Sequence, residues 1–107
     1  MGRPIIKLGE HYLEWSTVVD APVTFGMLLP EFRDYYQDKY GEHGMRDLDG
    51  RLERVEAKGS SYHRIDEDVE SVIAGNRAGP GESQLTRDEI YLAYCLGTPI
   101  RDGWLPQ

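Results

Sequence analysis

The stretch IIKLGEHYLEWSTVV, residues 5–19, decides the fold class. Ile5, Ile6 and Leu8 form a short apolar run, and Gly9-Glu10 has the glycine-first chemistry of a two-residue type II′ turn. Tyr12, Leu13, Trp15, Thr17, Val18 and Val19 then return as β-branched and aromatic residues, so the stretch predicts an antiparallel hairpin. Asp20-Ala21-Pro22 breaks the second strand. Val23-Thr24-Phe25 can add a short third strand before Gly26.

Downstream the period changes from two to that of a helix. Pro30 suits a first helical turn, Phe32, Tyr35, Tyr36 and Tyr40 recur on one face, and Gly41 stands where a helix stops. Met45, Leu48, Leu52 and Val55 predict a second helix over 45–58 ending at Gly59, with Asp47 and Arg51 spaced for an ion pair. Gly50 weakens it by about 1 kcal/mol relative to alanine. A shorter helix over 66–74 starts with Asp66, Glu67 and Asp68 in its first turn, buries Val69, Val72 and Ile73, and stops at Gly75. Thr86 and Glu89 form a capping box, and from Ile90 to Leu96 the helix is apolar or aromatic all round until Gly97. Asp102-Gly103 predicts a turn before Trp104. The expected fold is α+β: an N-terminal antiparallel hairpin or three-stranded sheet packed on three to four short helices, with 86–96 at the centre.

With 107 residues, 39% apolar and 29% charged, the chain fits a single globular domain, 1–107. Its net charge of −7 is spread along the chain and opposes a sequence-independent grip on nucleic acid. A lone cysteine forms no internal disulfide, and no apolar run reaches the length of a membrane span or a signal h-region. Gly2 lacks the Ser or Thr at position 6 that a myristoylation signal carries. The expectation is a cytoplasmic protein with no membrane partner.

Assembled chemistry is hard to find. The glycine-rich loop GNRAGPGES, residues 75–83, matches neither phosphate-binding glycine pattern and is followed by Asp88 and Glu89, which repel anions, so it reads as a connection. His11, His43 and His63 show no metal-ligand spacing, and Asp47-Leu48-Asp49-Gly50 places its glycine two positions too early for a calcium loop. Cys95 lies in the most apolar helix, where a thiol is inert. No catalytic residue, cofactor or metal is expected.

What remains is surface. VVDAPVTFGMLLP, residues 18–30, carries one charge and offers Phe25, Met27 and Leu28 as contacts; Tyr35, Tyr36 and Tyr40 form a tyrosine face, and Trp104 needs something to rest on. YLEWSTVVDAPVTFGM (12–27) and GNRAGPGESQLTRDEIYLAYC (75–95) resemble segments of small uncharacterised proteins of actinobacterial phages. That resemblance implies a phage-encoded product acting in the host cytoplasm, leaves binding to host proteins and virion structure both open, and assigns no residue roles. The functional expectation is a non-enzymatic binding protein that modulates a protein partner, a host protein included. The alternatives are a self-assembling structural subunit, forming a homo-oligomer through the last helix and Trp104, and a small-ligand enzyme.

Overall fold

The computed structural model describes residues 3–106, so Gly2 lies outside the described residues. Strands β1 (Ile5–Leu8), β2 (His11–Ser16) and β3 (Ala21–Pro22) form an antiparallel sheet in the order β1-β2-β3. Leu8 pairs with His11 across a turn in which Gly9 has φ +59, and Ser16 pairs with Ala21. The edges are covered by further chain. Ser61 donates to the Ile5 carbonyl (2.9 Å) and Lys7 to that of Gly59 (3.0 Å), while Tyr12 and Met27 exchange both backbone hydrogen bonds.

Two expectations about the sheet are corrected. The second strand ends at Ser16 and not at Val19, because the Ser16 hydroxyl accepts from the Val18 and Val19 amides (3.2 and 3.3 Å), turning the chain before the ladder continues. The third strand is Ala21–Pro22 and not Val23–Phe25; proline is tolerated because β3 is an edge.

Helix α1 (Leu29–Lys58) spans 30 residues and is broken at Gly41, whose φ of 67° and ψ of −162° belong to a backbone region essentially restricted to glycine. The break works as a hairpin. Arg33 reaches Asp49 at 3.1 Å, although 16 residues of straight helix would separate them by about 24 Å. The second half therefore begins directly after Gly41, with no connecting loop before Met45. The expected Asp47–Arg51 ion pair is absent among the described residues. Arg51 turns instead to the Tyr36 hydroxyl, the Arg3 carbonyl (2.9 Å) and Ser61 Oγ (3.3 Å).

Helix α2 is shorter than expected, Val69–Ile73, because Asp68 is its N-cap and accepts from the Ser71 amide at 2.9 Å. Helix α3 (Arg87–Ile90) opens on the expected Thr86–Glu89 capping box and passes into a π-helical turn, Tyr91–Cys95. Ile90, Ala93 and Tyr94 are buried there, but Leu96 is half exposed, so this helix is not covered all round. Gly26 fits closely against it, since a Cβ there would lie 2.6 Å from Cys95 Sγ.

Because strand side chains alternate, the sheet has two faces, and both are covered. Ile5 and Tyr12 pack with Phe32, Tyr36, Leu48 and Leu52 of α1. Ile6, Leu8, Leu13 and Trp15 pack with Ile73, Leu85, Ile90 and Tyr94 on the other side. The fold is α+β with three layers: helical hairpin, sheet, and the short C-terminal helices.

Candidate functional site

Alternation along β2 sends Glu14 to the α1 face with Tyr12, between the buried Leu13 and Trp15. Glu14 is fully buried, and its carboxylate is surrounded by donors. Tyr35 donates to one oxygen at 2.5 Å, Tyr40 to the other at 2.6 Å, and the Lys39 ammonium lies 3.7 Å away. Lys39 also donates to the Tyr35 hydroxyl (3.1 Å) and lies 5.6 Å from the ring centres of Tyr35 and Tyr40. Burial, reinforced by the Glu14 hydrogen bonds, pushes the Tyr35 hydroxyl well above its ordinary value and that of Tyr40 up to about 12. The network anchors the first half of α1 to the central strand. Both carboxylate oxygens are occupied, so Glu14 serves as an anchor and not as a free base.

Above this anchor runs a cleft of about 1030 Å³, with Arg3, Lys39, Arg51 and Arg54 on its cationic side and Val18, Val19 and Val23 as an apolar lip. A second hollow of about 550 Å³ shares Arg51, Arg54 and His63 with it and continues to Arg46. The two form one groove. Its arginines differ from those elsewhere on the molecule. Arg33, Arg64, Arg77, Arg87 and Arg101 each hold a carboxylate, whereas Arg3, Arg46, Arg51 and Arg54 hold none among the described residues.

Sequence reasoning missed both features. Glu14 was legible as one acid inside an otherwise apolar strand, a position where charge is rarely buried without partners. The groove was legible in the second half of α1. At about 100° per residue, Arg46, Arg51, Arg54 and Lys58 fall on one arc, Leu48, Leu52 and Val55 on a second, and Asp49, Glu53 and Glu56 on a third. Spread along the chain, the charges looked diffuse; around the helix they are largely sorted, with Asp47 as the one acid on the cationic arc.

The residues singled out for partner contact are scattered. Phe25 and Leu28 are exposed, with the Phe25 ring 6.3 Å from that of Tyr94. Met27 is partly buried against the α1 cluster. Tyr36 is buried with its hydroxyl at Arg51, and Tyr35 and Tyr40 are tied to Glu14. Trp104 is partly covered within the chain, 6.5 Å from the Tyr94 ring, and bridges to Ile100.

The glycine-rich loop is built around one buried side chain. Asn76 donates to the carbonyls of Ile73 and Leu85 (both 2.8 Å) and accepts from the amides of Ala78 (3.2 Å) and Leu85 (2.8 Å), which saturates its amide. Burial pushes the Cys95 thiol up to about 11, which keeps it protonated and weakly nucleophilic. Among the described residues no group of three His, Cys, Asp or Glu side chains could hold a metal ion, and no helix is long and apolar enough to cross a membrane. No family model, no curated protein and no solved structure matches the chain.

Proposed function

We propose that this chain is a non-enzymatic binding protein that modulates a protein partner through the margin formed by residues 18–28, acting in the cytoplasm. The observation that carries the reading is the placement of exposed apolar side chains. Of seven large ones among the described residues, five lie in this margin: Val18, Val19, Val23, Phe25 and Leu28. Val18 is 80% exposed and Phe25 53%, on a segment pinned by the Val23–Glu14, Gly26–Tyr94 and Met27–Tyr12 backbone hydrogen bonds. An apolar, rigid edge of this kind suits association, since little order is lost on docking. The resemblance to actinobacterial phage proteins makes a host protein one candidate partner.

Affinity capture from host lysate tests the assignment. The expected result is a partner retained by the wild-type chain and lost on Phe25→Asp, with the melting temperature unchanged. Full retention by Phe25→Asp overturns the assigned surface. Self-assembly through the last helix and Trp104 is the competing reading, and light scattering at micromolar concentration separates the two: a monomer supports the heterologous partner, and a stable oligomer supports the structural subunit.

A further inference from the structure

We infer that the cation-lined groove receives an acidic segment of the partner polypeptide, the arginines along its floor taking carboxylates and the valine lip taking an adjacent aliphatic side chain. This deepens the binding reading above and rests on it. Acids outnumber Lys and Arg nineteen to twelve in the chain, yet the four arginines without a carboxylate partner all line this one groove. Its walls hold five Lys and Arg side chains against two carboxylates, Glu14 and Asp47, and Glu14 is fully buried under its tyrosines. The balance of charged side chains lining the groove is therefore opposite in sign to that of the chain as a whole, and a groove of one sign concentrates ligands of the other.

The arginines are also held in place. Arg51 is fixed by Tyr36, the Arg3 carbonyl and Ser61, and Arg54 gives its Nε to the Ser61 carbonyl at 2.8 Å, which leaves its terminal nitrogens without an acceptor among the described residues. Planar guanidinium groups with free paired donors match carboxylate geometry. Arg3, Arg54 and Arg46 are distributed along two adjoining hollows and do not converge on one point, which fits several carboxylates on an extended chain better than one compact anion. Val18, Val19 and Val23 belong both to the groove and to the exposed margin, so one extended segment can occupy the two together. A nucleic-acid strand fits less well, because the lip opposite the cations is Val18, Val19 and Val23, which suits an aliphatic side chain and offers nothing to a continuous phosphate backbone.

The test is fluorescence anisotropy with a dye-labelled, acetylated Glu-Leu-Glu-Glu-Leu-Glu peptide, its Gln-Leu-Gln-Gln-Leu-Gln counterpart and a short single-stranded oligothymidylate. The expected result is saturable binding of the glutamate peptide that weakens with salt. Arg46→Ala and Arg3→Ala, both at exposed positions, each lower the affinity by up to about fivefold, and Arg64→Ala, whose partner is Asp66, leaves it unchanged. Equal binding of the glutamine peptide, equal affinity in all variants, or tighter binding of the oligothymidylate overturns the proposal. Failure of the binding reading is distinguishable: a partner captured and lost on Phe25→Asp, with no peptide binding, sinks the groove alone.

Discussion

Glu14 is where a single residue decides most. A carboxylate buried beside Leu13 and Trp15 is stabilised only by the donors that α1 brings to it, two tyrosine hydroxyls and the Lys39 ammonium. Glu14→Gln keeps the shape but puts an amide nitrogen, a donor, opposite one of the two hydroxyls. The expected loss is about 2 kcal/mol, read from the urea midpoint with an unchanged m-value. A midpoint equal to the wild type would remove the anchoring role. The strand's apolar residues and the lone acid among them were legible in the sequence, and the partners that allow its burial were not. Its partners, Tyr35 and Tyr40, lie 21 and 26 positions away on another element.

The elements follow their local punctuation closely. The Gly9 turn, the breaks at Gly41 and Gly59, the Thr86–Glu89 box and the Asp102-Gly103 turn all stand where backbone chemistry placed them. Misses occurred where a side chain competed with the backbone: Ser16 stops β2 early, and Asp68 starts α2 late. At α3 the box is reinforced from outside. Arg101 bonds both Glu89 oxygens at 2.7 and 2.9 Å, and that contact, followed by the Thr86 amide, lowers the Glu89 carboxyl from 4.5 to about 2. Because folding lowers this value, the contribution is complete above about pH 4.5 and is lost as the pH falls toward 2. Glu89→Gln is therefore expected to be less stable than the wild type by a constant margin above pH 4.5, and the margin should close as pH 2 is approached. A denaturant titration at stepped pH checks it, and a gap that persists at low pH would mean the stability comes from elsewhere.

Across the whole molecule, the sheet is the shared wall of two apolar clusters. Trp15 and Trp104 report on the C-terminal side, while α1, the longest helix, dominates the helical signal and packs on the opposite face. Since β1 and β2 send alternate residues into both clusters, neither layer keeps its core when the other leaves. Tryptophan fluorescence and far-ultraviolet circular dichroism are expected to give coincident denaturation midpoints. Separate midpoints would mean two independent units. The groove also belongs to this scale, because its walls come from residue 3, the 18–23 turn, α1 and residues 61–63.

By itself the amino-acid sequence determined the glycine turns, the breaks at Gly41 and Gly59, the Thr86 cap and which residues are apolar, because each of those depends on backbone chemistry within about four residues. Only the tertiary structure decided that the hairpin is covered on both faces, that Glu14 is buried, and that the unpaired arginines meet in one groove. Those outcomes depend on contacts between elements tens of residues apart. The break at Gly41 and the two-sided burial of the sheet create them, and no local pattern specifies which faces will meet.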